Sequence, residues 1–157
     1  MNSSSFPTSY ERAAQRGLQA GILIVAATGN DSKRKKGFIA PVGRPANCPS
    51  IAAIGAIDAQ NLIADFSNSQ KFGNGGEVNF VGPGVGVLSS VPMPKRRAVF
   101  DGTSMATPHA AGIAALISEE TGLTGIELYL EMRRRALFLG NRAEYGHGLV
   151  RAQAVFA

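Results

Sequence analysis

Ser104 stands in the run FDGTSMATPHAAGIAALIS, Phe100 to Ser118, between a glycine–threonine turn and an apolar stretch that reads as a helix over 104–120. A hydroxyl at a helix N-terminus lies beside unpaired backbone N–H groups and the positive end of the dipole. That setting suits a nucleophile, because negative charge grows on the carbonyl oxygen it attacks. Gly102 lets the main chain pass close to a substrate. Ala106, Ala110, Ala111 and Gly112 allow the helix to pack tightly against its neighbours. Gly-Thr-Ser alone would describe an ordinary capped helix; the longer string GTSMATPH is far more specific.

A second group with chemical use closes the run GILIVAATGN, Gly21 to Asn30. Ile22 to Val25 is a continuous β-prone apolar run, as expected of a strand buried on both faces of a parallel sheet. Asn30 then falls at the carboxyl edge of that strand, where such sheets bind ligands. Its side-chain amide can donate to an oxyanion. Taken alone, Gly29-Asn30 would be a turn closing a strand.

The two strings together resemble the subtilisin-like serine peptidases, the subtilases. GTSMATPH is similar to their nucleophile segment and AATGN to their oxyanion-hole segment. The resemblance implies that Ser104 forms the acyl-enzyme and that Asn30 is the oxyanion donor. It implies that Ala26, Ala27, Thr28 and Gly29 form one wall of the primary specificity pocket, and it assigns Gly102 and Thr103 to the substrate-binding surface. Asn47-Cys48-Pro49-Ser50 with Ile51 to Asp58 resembles the family's Pro-then-strand segment, and Ala64 to Ser69 its A-x-F-S-N turn. Phe80 to Ser90 resembles the A-P-G loop and the strand after it. Tyr145 to Val150, with Ala152, resembles the segment closing the domain, so the likeness runs from about residue 20 to the end. Met1 to Phe6 reads as a remnant of the strand that pairs with bound peptide; Phe6 replaces a glycine there, and Ser4 and Ser5 receive no role. Gly82 to Gly86 is not a phosphate loop, since no helix start and no Lys-Ser/Thr follow it.

The family's aspartate turn and His-Gly-Thr-His stretch are missing. A histidine must take the serine's proton and an aspartate must orient it. The chain has two histidines. His109 follows Ser104 by five residues, about 7.5 Å of rise and about 140° of rotation on one helix, and reads as a packed helix residue. His147 lies in a glycine-rich turn, Asp31 reads as a loop or cap residue, and Asp101 belongs to the nucleophile turn. Triad members act as a unit, so the resemblance implies that this chain alone has no useful peptidase activity. It reads as the C-terminal portion, residues 1–157, of one subtilisin-like peptidase domain. The sequence is either a fragment or a short form that pairs with a partner carrying the aspartate and histidine. A peptide-binding domain without chemistry is the alternative.

The elements expected around these groups are helix 8–19, strands 22–27 and 51–57, strands near 78–81, 86–91 and 97–100, helices 104–120 and 125–137, and a short helix from 151. They describe an α/β fold, a mostly parallel sheet with helices on both faces and incomplete on its N-terminal side. Thr8 with Glu11 and Thr124 with Glu127 each read as a capping box. The single cysteine, Cys48, excludes an intrachain disulfide and a multi-cysteine metal site, and reads as a buried thiol. No metal or cofactor is expected. No stretch is long enough to span a membrane, and residues 1–28 lack the pattern of a signal peptide. Net charge is +5, concentrated in Lys33 to Lys36, Lys95 to Arg97 and Arg133 to Arg135. These aromatic-poor runs read as solvated faces rather than a nucleic-acid surface. Lys95 to Arg97 precedes Ser104 closely enough in sequence to favour acidic substrate residues. A peptide or protein is the expected partner.

Overall fold

The computed structural model describes residues 6–69 and 76–153. In chain order the elements are α1 (Thr8–Gln19), β1 (Val25–Ala27), a 3₁₀ turn (Arg34–Lys36), β2 (Ala52–Ile57), β3 (Phe80–Pro83), β4 (Val87–Ser90), β5 (Arg97–Phe100), α2 (Thr103–Thr121), α3 (Gly125–Arg135) and α4 (Arg142–Tyr145).

β2 is apolar throughout and buried at every position, which requires cover on both faces. Ala52, Ile54 and Ala56 pack with Ala106, Ala110 and Ile117 of α2 and with Leu128 and Met132 of α3. The alternate residues Ala53 and Ile57 pack with Ala14 of α1 and with Val42, Ala46 and Cys48. The result is three layers, with a parallel sheet in the order β1-β2-β3 at the centre. Val25 pairs with Ala52, and Ile54 pairs with Phe80. β4 and β5 form a separate antiparallel hairpin. The outer edge of β3 is covered by the C-terminal segment, where Val81 N–H donates to Gly148 O (3.0 Å) and Val150 N–H to Val81 O (3.1 Å). That pairing satisfies backbone groups which would otherwise be bare.

Several expectations need correction. The strand expected over 22–27 is formed only by Val25–Ala27, and Ile22 is exposed. Its partner β2 begins at Ala52, opposite Val25, so residues 22–24 run ahead of the sheet. Neither capping box forms: Pro7 is the N-cap of α1, and Thr124 caps α3 without a side-chain bond. Glu11 turns inward instead and accepts from Ser50 N–H (3.1 Å) and Ser50 Oγ (2.6 Å). Helix α3 ends at Arg135, because Ala136 is extended. Residues 151–153 form no helix, and the rest of that expected element lies outside the described residues. Ser4 and Ser5 also lie outside them.

The basic runs are not uniformly solvated. Arg34 donates to Ser67 O through Nε (3.1 Å) and Nη2 (2.8 Å), and pairs with Glu144 at 2.7 Å. Arg135 is buried between Glu120 and Glu131, 2.7 Å from each. Lys95 to Arg97 is exposed, at the far end of the β4–β5 hairpin from its base pair Val87–Phe100.

Candidate active site

The site is assembled at the carboxyl ends of the parallel strands. Helix α2 enters it through a glycine-lined passage. Gly84 accepts from Gly102 N–H at 2.8 Å, and a Cβ on Gly84 would lie 2.5 Å from Ala56 Cβ and 2.8 Å from Gly102 O. No other residue could sit at 84 without displacing the start of α2. The loop resembling A-P-G therefore serves as the seat of the Ser104 turn.

Thr103 is the first helical residue, fully buried, and Ser104 is the second and exposed. Thr103 N–H donates to Asn30 Oδ1 at 2.8 Å, and Thr103 Oγ1 donates to the same oxygen at 2.9 Å. Thr103 Oγ1 in turn accepts from Gly29 N–H at 3.2 Å. A backbone N–H can only donate, so the Asn30 atom facing Thr103 must be its oxygen. The amide Nδ2 is thereby turned to the other side, next to Gly102, whose Cβ position lies 3.5 Å from it. Met105 N–H donates back to Gly102 O at 3.0 Å. Between Thr103 and Met105, the Ser104 N–H has no acceptor among the described residues. Two donors, Asn30 Nδ2 and Ser104 N–H, thus lie 3.5 and 3.7 Å from one point, the Cβ position of Gly102, at the positive end of a 19-residue helix. Pro108 lacks the N–H that would otherwise meet the Ser104 carbonyl one turn earlier.

Ala26, Ala27, Thr28 and Gly29 continue from β1 into this turn. Ala26 and Thr28 are buried, Ala27 and Gly29 half-buried. Thr28 Oγ1 has no hydrogen-bond partner among the described residues. Of the residues expected at the site, the structure joins Gly29 and Asn30 to Gly102 and Thr103; Ala26 to Thr28 lead into that junction from β1.

Neither histidine joins them. His109 Nδ1 lies 2.8 Å from Met105 O, on its own helix. His147 Nε2 lies 3.1 Å from Tyr129 Oη, in an aromatic group with Phe80, and the His147 backbone N–H donates to Asn79 O before the start of β3. Burial holds its pKa below the ordinary value, with Arg133 and Arg142 adding to the effect. Asp31 is tied to Asn68, and Asp101 accepts from Gly86 N–H at the hairpin base, 2.7 Å away. Cys48 is buried, and burial raises its thiol pKa. A cavity of about 230 Å³ lies beside His147, lined by Glu77, Asn79 and Arg142 among others, away from Ser104. Among the described residues no cluster of His, Cys, Asp or Glu could hold a metal, and no helix is long and apolar enough to cross a membrane.

Sequence reasoning missed Asn68. It reads there as part of a turn, whereas it is buried beneath the Gly29–Ser32 loop and bonded to several of its groups. The only signal was three consecutive polar residues, Ser67-Asn68-Ser69, directly after an apolar position.

Comparison with known proteins finds relatives of one family. The pattern of the subtilase family matches residues 1–148. Alkaline elastase YaB of Bacillus sp. (strain YaB) is 38% identical over 155 residues, covering 98% of this chain and 38% of the relative. Subtilisin E of Bacillus subtilis (strain 168) is 37% identical over 148 residues, covering 94% of this chain and 37% of the relative. The crystal structure of a lanthipeptide protease shares the fold, with a TM-score of 0.76 at 24% identity over 92% of this chain and 53% of that one. The chain thus spans a little over a third of the length of these curated relatives.

Proposed function

The chain belongs to the subtilase family, and on that premise we propose that it forms the part of a serine endopeptidase domain that holds the nucleophile and the side-chain oxyanion donor. Ser104 Oγ attacks the carbonyl carbon of a peptide bond. Asn30 Nδ2 and the Ser104 N–H donate to the oxygen that gains negative charge. The leaving amine departs, and water hydrolyses the acyl group on Ser104. Ala26 to Gly29, with Gly102 and Thr103, line the substrate path. The observation that carries this reading is the pair of hydrogen bonds from Thr103 to Asn30 Oδ1, which leaves the amide NH₂ free to donate near the Ser104 N–H.

The proton on Ser104 needs a base, and neither imidazole of this chain is bonded there. The histidine and its aspartate must come from another polypeptide segment, and residues 1–157 are the C-terminal portion of the domain. The isolated chain is therefore inactive. The test is peptide hydrolysis by the chain alone and after mixing or fusion with a relative's segment bearing the aspartate and histidine turns. Hydrolysis only in the combined protein, lost in Ser104→Ala, is the expected result; hydrolysis by the chain alone would contradict it.

A second reading, peptide binding without chemistry, is favoured by the position of the two histidines. Peptide binding by a combined protein that hydrolyses nothing would select it.

A further inference from the structure

We infer that Asn68 is a positioning residue for the oxyanion donor, an inference that rests on the peptidase reading of Asn30 and deepens it. Thr103 fixes the far end of the Asn30 side chain. Its hydroxyl also holds the Gly29 N–H, just before Asn30, but does not reach the backbone after it. Asn68 grips the backbone on both sides. Its own N–H donates to Gly29 O at 3.0 Å, just before Asn30. Its Oδ1 accepts from Asp31 N–H at 2.8 Å and Ser32 N–H at 3.1 Å, just after Asn30. Ser32 Oγ lies 3.3 Å from the same oxygen. Its Nδ2 donates to Asp31 Oδ2 at 2.9 Å and to Pro41 O at 3.0 Å. Both hydrogens of the Asn68 amide are used, and the residue is 2% exposed.

The residue is itself held rigidly. Ser67 Oγ accepts from Ala56 N–H in β2 at 3.1 Å, and Ser69 N–H donates to Ala40 O at 3.0 Å. Asn68 thus transmits the position of the central strand to the loop carrying Asn30. Gly29 permits the approach: a Cβ there would collide with Asn68 Nδ2. With both ends of residue 30 restrained, the amide has little freedom left, which is the preorganisation that oxyanion stabilisation needs.

The direct experiment follows the Asn30 side-chain NH₂ in ¹⁵N-labelled chain, by heteronuclear NOE. Wild type is expected to show a rigid Asn30 amide. Asn68→Asp keeps the acceptor oxygen, loses both donors and faces the Asp31 carboxylate, so the Asn30 amide should become mobile. The exchange Asn68→Asp with Asp31→Asn restores a donor–acceptor pair and should recover rigidity. Asp31→Ala removes a single side-chain bond, and should likewise loosen the Asn30 amide if Asn68→Asp does not fold. In the combined enzyme, Asn68→Asp should lower kcat on the order of tenfold with KM unchanged, and should add nothing to Asn30→Ala. An Asn30 amide already mobile in wild type, or unmoved in the folded variants, overturns the inference. So does a kcat loss that adds to that of Asn30→Ala. A combined wild-type enzyme without activity would instead remove the peptidase reading, while the NOE still decides what Asn68 does.

Discussion

Thr103 and Asn30, 73 residues apart, meet at one oxygen that accepts two hydrogen bonds of 2.8 and 2.9 Å. The hydroxyl making the second bond also accepts from Gly29 N–H. Thr103→Val keeps the shape but breaks both hydroxyl contacts and leaves the Gly29 N–H unpaired. A loss of about 1–3 kcal/mol is expected, read as a lower urea midpoint. In the combined enzyme the same substitution should lower kcat more than it raises KM, since the donor is needed most in the transition state.

Gly29 has φ +109°, and its Cα faces the Asn68 amide. Gly29→Ala meets two penalties at once, an unfavourable backbone region and a collision with a buried side chain. The expected loss is about 2–4 kcal/mol, beyond the usual range for a surface loop. Gly37→Ala is the control. Its φ is +74° but nothing lies within 4 Å of its Cβ position, so only the backbone penalty applies.

Acid should weaken the fold in two windows. Burial holds the His147 pKa below its ordinary value, so the unfolded state binds that proton more readily. Its stabilising contribution is full above the unfolded value of about 6.5 and falls as pH drops through the folded one. Glu131, hydrogen-bonded by Arg134 and Arg135, is held to about 2, so its contribution fades between about pH 4.5 and 2. Urea unfolding across pH should show both declines. His147→Gln should flatten the upper window alone, and Glu131→Gln the lower.

Much of this arrangement was legible because it is local. The stripe of α1 places the helix at Thr8–Gln19, and the unbroken apolar run of β2 demands cover on both faces. GTSMATPH and AATGN single out Ser104 and Asn30 through their resemblance to the family's segments. What was not legible depends on distant partners. Glu11 looks like a capping residue until Ser50 supplies two donors for its carboxylate. Arg34 and Arg135 look like surface charge until Ser67, Glu120 and Glu131 enclose them. Asn68 looks like a turn residue because its side-chain bonds reach back across 27 to 37 positions. The end of the run at Ile22 is set by where β2 begins, which no local pattern reveals.

The most direct measurement is covalent labelling of Ser104 by a fluorophosphonate, followed by intact mass and peptide mapping. It compares the combined protein, its Asn30→Ala variant, and the chain alone. The expected result is a single adduct on Ser104 in the combined protein and none in the chain alone. Labelling should slow by about 10²–10³ in Asn30→Ala, the size established for loss of the corresponding donor in subtilisin itself. An adduct on any other residue, or equal rates with and without the Asn30 amide, would contradict the claim that these two groups serve one reacting centre.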